Sequence, residues 1–147
     1  MTRYLEDFPP GLVMTSVGRT VTETDIMNFA GISGDFNQLH INEEWVRANT
    51  PFSGRIAHGL LVLAIASGLA TSIDDVETIA YLEETRKFLK PTYPGDTIHV
   101  VTTVRETRAS TSRPGTGVLT TDVEVRNQRG EVVQAGTDAI MITTRPG

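Results

Sequence analysis

A run of residues without any charged side chain, at 59–72, constrains the fold of this chain more than any other feature. Its sequence, GLLVLAIASGLATS, places apolar residues on every side of a helical wheel. A helix that is apolar all round is buried inside a protein. At about 1.5 Å per residue this helix is about 20 Å long, and it is too short for a bilayer, which needs about 20 residues. We therefore predict a buried central helix with other elements wrapped around it.

The second half of the chain supplies that wrapping. Segments rich in Val, Thr and Ile alternate with turns that contain Gly and Pro, which is typical of antiparallel strands. The predicted strands are 76–90, 96–109, 117–127 and 131–143. Strands and helices do not alternate here, so the pattern does not favour a parallel sheet.

The first half of the chain predicts shorter elements. They are a strand at 12–17, a helix capped by Thr22 and ended by Gly31 and Gly34, a loop over 33–42, and a helix at 43–49 capped by Asn42. Together with the second half they predict one α+β domain, at 1–147, in which an antiparallel sheet surrounds the apolar helix.

Charge and cysteine content exclude several classes of function. The net charge is −5, from 13 basic and 18 acidic residues, whereas a nucleic-acid binder needs a basic face to neutralise phosphates. The chain has no cysteine, which removes disulfides, thiolate metal sites and cysteine nucleophiles. The start, MTRYLEDFPPG, lacks the apolar region of a secretory signal. We therefore expect a cytoplasmic protein that binds neither nucleic acid nor membrane.

The candidate catalytic groups are a carboxylate and an imidazole in one loop. Asp35 and His40 lie five residues apart in the sequence GDFNQLH. A carboxylate can accept a proton, and a histidine can accept or donate one near neutral pH. If the two face one point, they can hold and activate a single water molecule. The alternative is that Asp35 and Asn37 are turn formers and His40 is a surface residue, because such loops are common.

A second feature, His58-Gly59, stands at the predicted start of the apolar helix. A helix N-terminus offers unpaired N–H groups and the positive end of a dipole. Glycine there lets a ligand approach the backbone closely. Such a site can polarise a carbonyl and hold the negative charge that develops on it. The chain thus combines an acid/base pair with an oxyanion site, as chemistry next to a carbonyl requires.

The region from Phe29 to Leu69 resembles the signature of the MaoC-like dehydratase family, which includes the (R)-specific enoyl-CoA hydratases. The similarity lies in FAGISGDFNQLHINEEWVRAN and in RIAHGLLVLAIASGL, and it extends to FLKPTYPGD at 88–96. The resemblance implies a hot-dog fold and the reversible addition of water to a 2-enoyl thioester. It also implies that coenzyme A or an acyl carrier protein brings the acyl group, and that the chemistry needs no metal or further cofactor.

Residue by residue, the resemblance implies that Asp35 and His40 are the catalytic pair. It implies that the backbone N–H of Gly59 binds the thioester oxygen. Asn37 is expected to shape the loop and to orient His40, and Ser67 is expected to lie near the active site. Both are expected to contribute to substrate binding.

The resemblance leaves the roles of several other residues open. Gln38 stands where the family usually has proline, which puts the substrate in doubt more than the reaction type. We expect His58 to be structural rather than catalytic. The phosphates of coenzyme A need cations, and the candidates, each also explicable as an ordinary solvated charge, are Arg55, Arg86, Lys87 and Lys90.

Two other functions stay possible. A hot-dog thioesterase often has an acid on the central helix; residues 59–72 contain none, although Asp74 and Asp75 are predicted just past the end. A non-catalytic acyl-binding subunit is expected to lack the Asp35/His40 pair. In every case the open edges of a single sheet invite pairing, and isologous dimers are the commonest oligomers, so we predict a homodimer or larger homo-oligomer.

Overall fold

The computed structural model describes residues 2–147, and it describes the side chains of all of these except 72–74. An antiparallel sheet curls around a long helix, with shorter helices packed at one end. After a 3-10 turn at Leu5–Asp7, the elements in chain order are β1 (Val13–Thr15), β2 (Arg19–Thr20), α1 (Glu23–Ser33), α2 (Gln38–Ile41), α3 (Glu43–Asn49), α4 (Gly59–Asp74), β3 (Thr78–Phe88), β4 (Thr97–Ala109), β5 (Thr116–Arg126) and β6 (Val132–Thr143).

The sheet has the strand order β1-β4-β5-β6-β3, and the short β2 also pairs with β4. Every strand pair is antiparallel. Along β5, buried residues alternate with half-buried ones, so one face of the sheet points to the core. Among the described residues β3 pairs with β6 alone, and most of its residues are exposed, so β3 forms a free edge of the sheet.

Helix α4 is the central helix that the apolar run predicts. Its side chains Leu61, Val62 and Ile65 are buried against apolar residues of β4 and β5. The burial is not complete, because Leu60 is 60% exposed and begins a stripe that the sheet does not cover. The helix also continues to Asp74 rather than ending at residue 72. Asp74 therefore lies in the helix, not past it, and its side chain is outside the described residues.

Two local predictions in the first half need correction. Gly31 does not end α1: it lies inside the helix, which runs to Ser33 and is closed by Gly34 in a left-handed conformation with φ of 75°. The segment 33–42 is not a continuous loop, because it contains α2. The predicted α3 and its Asn42 cap are confirmed, since Asn42 Oδ1 accepts a hydrogen bond from the Trp45 N–H at 3.0 Å.

Within the described residues, no helix is long and apolar enough to cross a membrane.

Candidate active site

Asp35 and His40 face each other at the end of the fold where α4 begins. Asp35 lies in the loop between α1 and α2, and His40 lies on α2. The distance from His40 Nε2 to Asp35 Oδ2 is 3.8 Å. The Asp35 side chain is 51% exposed and that of His40 is 11% exposed. The pair therefore combines a carboxylate open to solvent with an imidazole held by the protein.

The backbone determines which nitrogen of His40 is available. His40 Nδ1 lies 2.7 Å from the carbonyl oxygen of Ile56. A carbonyl oxygen can only accept, so Nδ1 carries the hydrogen in this contact. In neutral His40 the lone pair is therefore on Nε2, on the side that faces Asp35.

The surroundings also keep His40 neutral. Burial lowers its pKa below the ordinary value because the charged form is desolvated, and repulsion from His58 acts in the same direction. The hydrogen bond to Ile56 and the attraction of Asp35 oppose this and do not overcome it. At neutral pH, His40 Nε2 can therefore accept a proton.

The loop orients Asp35 through short-range hydrogen bonds. Its Oδ1 accepts from the Asn37 N–H at 3.1 Å, and its own N–H donates to Ser33 Oγ at 3.1 Å. Oδ2 remains for the contact with His40. The carboxylate thus has one oxygen engaged by the backbone and one directed at the imidazole.

Asn37 and Gln38 shape the element that carries His40. Asn37 Oδ1 accepts from the Leu39 N–H at 3.0 Å and caps α2, while its carbonyl oxygen accepts from the His40 N–H at 2.9 Å. Gln38 is exposed, and its Oε1 accepts from Asn42 Nδ2 at 2.8 Å. In this geometry the Gln38 amide binds a neighbouring side chain on the surface.

Gly59 opens α4 at a point that admits no side chain. A Cβ built on Gly59 would lie 2.6 Å from the Phe88 ring. As the first residue of the helix, Gly59 has an N–H without an intrahelical acceptor. Its carbonyl accepts from Gln134 Nε2 at 2.8 Å. Beside it opens a cleft of about 650 Å³, lined mainly by apolar side chains that include Phe52, Leu60, Phe88 and Leu89.

The neighbouring His58 is buried and contacts both members of the pair. Its Nε2 lies 2.9 Å from the carbonyl oxygen of Asp35. Its ring stacks on that of His40, with 3.7 Å between centroids and 25° between planes. Asp35, His40 and His58 each offer one possible metal ligand within 4.8 Å of the others, the donor set of a two-histidine, one-carboxylate site. The fit is poor, because lone pairs that lie in two nearly parallel stacked rings do not converge on one ion.

Ser67 lies away from this cluster. It is eight residues along α4 from Gly59, which corresponds to about 12 Å. Its Oγ donates to the Ala64 carbonyl at 2.8 Å. It lines a separate cavity of about 130 Å³ together with residues of β3 and β6 that include Tyr81 and Asp138. A role for Ser67 in substrate binding stays a prediction from the sequence.

Carboxylates engage three of the four candidate cations for coenzyme A. Arg55 bridges Glu43 and Glu23, at 2.8 and 2.7 Å. Lys90 forms an ion pair with Glu131. The third, Arg86, contacts Glu84 and Asp138, and only the exposed Lys87 has no ion pair among the residues that the structure describes. Most of the cations that we expected to bind the phosphates of coenzyme A are therefore already paired with carboxylates.

The sequence did not predict the buried polar cluster around Arg86. This side chain is 3% exposed and contacts Glu84 at 2.6 Å and Asp138 at 3.1 Å. The Tyr81 hydroxyl donates to Glu84 at 3.2 Å. Burial, with a hydrogen bond to Asp138, raises the pKa of Glu84 to about 7. The one signal in the sequence was the spacing of Glu84 and Arg86, which puts both charges on one face of β3.

This chain is similar to known proteins in both sequence and architecture. A family model for the MaoC-like domain matches residues 9–127. The (R)-specific enoyl-CoA hydratase of Rhodospirillum rubrum is 38% identical over 102 residues, which cover 69% of each chain. Protein MaoC of Klebsiella aerogenes is 37% identical over 99 residues, which are 67% of this chain and 29% of that protein. The chain thus spans less than a third of this longer relative.

Solved structures agree with the predicted architecture. The monoamine oxidase regulatory protein of Archaeoglobus fulgius superposes with a TM-score of 0.88 and 35% identity, covering 99% of this chain and 97% of that one. A Mycobacterium tuberculosis protein with a double hot-dog fold superposes with a TM-score of 0.87 and 24% identity, covering 99% of this chain and 45% of that one. The predicted hot-dog fold is confirmed.

Proposed function

This chain belongs to the MaoC-like dehydratase family, and from that premise we propose that it is a hydro-lyase acting on a 2-enoyl thioester, with Asp35 and His40 as its catalytic pair. The observation that carries the proposal is the 3.8 Å separation between His40 Nε2 and Asp35 Oδ2. At this separation the lone pair of the imidazole and a carboxylate oxygen can both hydrogen-bond one water molecule.

The proposed reaction follows from the ionisation of the pair. His40 Nε2 takes a proton from the shared water as the water oxygen attacks the β-carbon of the thioester. Asp35 accepts the second hydrogen bond of that water and stabilises the imidazolium that forms. A proton from the pair is then delivered to the α-carbon, which yields the 3-hydroxyacyl thioester. Dehydration is the same path in reverse.

The start of α4 supports the placement of the thioester. The carbonyl oxygen would accept from the Gly59 N–H, where the helix dipole stabilises the negative charge of an enolate. The apolar cleft of about 650 Å³ beside Gly59 is of a size and character that suit an acyl or pantetheine group. We propose that coenzyme A or an acyl carrier protein supplies this group.

Hydration of crotonyl-CoA tests the proposal. We expect the wild type to remove the enoyl-thioester absorbance without releasing thiol, and we expect Asp35→Asn and His40→Ala to lower the rate by about a hundredfold or more. His99→Ala and Asp122→Asn are matched controls on β4 and β5, strands that carry neither member of the pair, and should keep the wild-type rate.

Other outcomes would select the alternatives. Thiol release by the wild type, lost in Asp35→Asn, would indicate a thioesterase. Binding without turnover across a panel of longer and branched enoyl-CoAs would indicate a non-catalytic acyl-binding protein. Activity that persists in both Asp35→Asn and His40→Ala would contradict catalysis by this pair.

We further propose that the protein is a homodimer. The free edge of β3 exposes several large apolar side chains, namely Ile79, Tyr81, Leu82 and Phe88. An unpaired strand edge with apolar side chains favours pairing with another chain, and a second copy offers the same surface.

A further inference from the structure

We infer that His58 is a positioning residue, which ties the backbone of Asp35 to the start of α4 and holds the His40 ring in its working orientation. This inference rests on the proposed function, because it concerns how that pair is held for the reaction. The sequence alone predicts only a structural histidine before Gly59.

The first observation is the hydrogen bond from His58 Nε2 to the carbonyl oxygen of Asp35, at 2.9 Å. The carbonyl can only accept, so Nε2 is the donor. The other hydrogen bonds described for Asp35 are local: its N–H donates to Ser33 Oγ at the end of α1, and its Oδ1 accepts from the Asn37 N–H. The His58 contact spans 23 residues. It is therefore the contact that fixes the loop relative to α4.

The second observation is the stack of the two imidazoles. The rings of His58 and His40 lie 3.7 Å apart at 25°. On the Nδ1 side, His40 is held by the Ile56 carbonyl at 2.7 Å. A single hydrogen bond still allows the His40 ring to rotate about that contact. The ring of His58, packed flat against it, prevents this rotation. Phe29 supports His58 in turn, with 4.9 Å between ring centroids.

The third observation is an unpaired nitrogen. His58 is 2% exposed, and its Nδ1 has no hydrogen-bond partner among the residues that the structure describes. A buried polar atom without a partner destabilises the folded state. An aromatic hydrocarbon side chain would keep the stack and avoid this cost. The unpaired Nδ1 of His58 thus lowers the stability of the folded state. In exchange, the histidine supplies a hydrogen-bond donor to Asp35 that a hydrocarbon ring cannot supply.

The same geometry separates His58 from the catalytic groups. Its Nε2 is committed to a backbone carbonyl, and its Nδ1 is enclosed by protein. Neither nitrogen can exchange a proton with a substrate in this arrangement. His58 acts through Asp35 and His40 rather than on the reacting atoms.

Two substitutions divide the contributions of the donor and the ring. His58→Phe keeps a flat ring against His40 and removes the donor to Asp35. His58→Gln keeps an amide donor near the position of Nε2 and removes the stack. His99→Gln, on β4, is the matched control.

The first readout is steady-state hydration of crotonyl-CoA, with kcat and KM measured separately and thermal unfolding followed in parallel. We expect His58→Phe to unfold at or above the wild-type temperature and to lower kcat by about tenfold to a hundredfold with little change in KM. His58→Gln should recover a substantial part of kcat. A folded His58→Phe with wild-type kcat, or with a raised KM alone, would overturn the inference.

The second readout does not depend on catalysis. Amide hydrogen exchange at residues 35 and 37 should be faster in His58→Phe than in the wild type and should return towards the wild-type rate in His58→Gln. Unchanged exchange in a folded His58→Phe would overturn the inference even if activity falls. If the wild type hydrates no thioester, the proposed function fails, and the exchange rates alone decide whether His58 holds the loop.

Discussion

At the scale of single residues, Gln38 raises the question of how His40, the proposed catalytic histidine, is held without the proline that the family usually has two positions before it. The structure places Gln38 at the first position of α2, where it is exposed and bonded to Asn42. The first position of a helix is where proline is tolerated best, because the N–H there has no intrahelical acceptor. Rigidity near His40 comes instead from Ile56 and from the neighbouring ring of His58.

We therefore expect Gln38→Pro to fold and to keep its rate of crotonyl-CoA hydration within about twofold, because Gln38 contributes neither a needed N–H nor a group to the pair. The substitution should leave the free energy of unfolding unchanged or raise it by up to about 1 kcal/mol, since proline restricts the unfolded chain. Urea denaturation measures the second effect. Ile41→Pro, at the last position of the same helix, is the contrasting control and should destabilise. A large loss of activity in Gln38→Pro would show that the glutamine amide takes part in the site.

At the scale of elements, two helices with similar caps differ in what they carry. Asn37 caps α2, which bears His40, and Asn42 caps α3, which bears no member of the pair. In both cases the asparagine oxygen accepts a backbone N–H at 3.0 Å. The two caps thus provide comparable substitutions for separating stability from function, and Asn42→Ala additionally removes the exposed hydrogen bond from Asn42 Nδ2 to Gln38 on α2.

Loss of an asparagine cap typically costs about 1 kcal/mol, so we expect Asn37→Ala and Asn42→Ala to lower the free energy of unfolding by similar amounts. Only Asn37→Ala should also reduce kcat for hydration, because it loosens the turn that presents His40 to Asp35. Chemical denaturation and steady-state kinetics on the two variants check this. Equal losses of kcat in both variants would contradict a specific role for Asn37 in orienting the pair.

The elements also show what the sequence can and cannot predict. Caps and periodicity are local signals, so α3, α4 and the four long strands were predicted to within two residues at each end. Helix α2 was missed because four residues make little more than one turn, and its cap Asn37 is equally typical of a loop. The Asp35/His40 spacing was visible, but the contact of His58 with Asp35 spans 23 residues. The partners of Arg55 likewise lie up to 32 residues away along the chain. Local sequence patterns do not indicate contacts of this kind.

At the scale of the whole molecule, the buried cluster of Glu84, Arg86 and Asp138 makes stability depend on pH. The pKa of Glu84 is raised to about 7 by burial and by its hydrogen bond to Asp138. In the unfolded chain Glu84 has its ordinary, lower pKa. Between the two values the folded state keeps a proton that the unfolded state has released. This contribution to stability is full below the unfolded pKa and is lost as the pH rises through about 7.

We expect Glu84→Gln to be less sensitive to pH than the wild type, because its amide cannot ionise. Between pH 5 and pH 8 the free energy of unfolding of the wild type should fall by roughly 1–3 kcal/mol more than that of the variant. Urea denaturation at several pH values measures the difference. Glu83→Gln, the exposed neighbour on β3, is the control and should follow the wild type. Parallel curves for the wild type and Glu84→Gln would contradict the raised pKa.

The free edge of β3 makes the proposed dimer testable. Leu82 lies on this edge and is 48% exposed, whereas Ile32 lies on α1 and is 86% exposed. If β3 pairs with a second copy, Leu82→Lys removes apolar area and adds a like charge twice, once from each protomer. Sedimentation equilibrium should show a wild-type mass twice that of one chain. The dissociation constant of Leu82→Lys should be at least about tenfold higher, as expected from about 1.4 kcal/mol or more of lost association free energy.

Ile32→Lys separates this interface from a general effect of surface charge. It carries the same substitution at a more exposed position outside the β3 edge, so it should dimerise like the wild type. Loss of the dimer in Ile32→Lys, but not in Leu82→Lys, would indicate that the interface lies on α1 and not at the β3 edge. A monomeric wild type would contradict the dimer altogether, and the apolar side chains of β3 would then remain open to solvent at a strand edge that proteins normally protect by pairing, covering or charge.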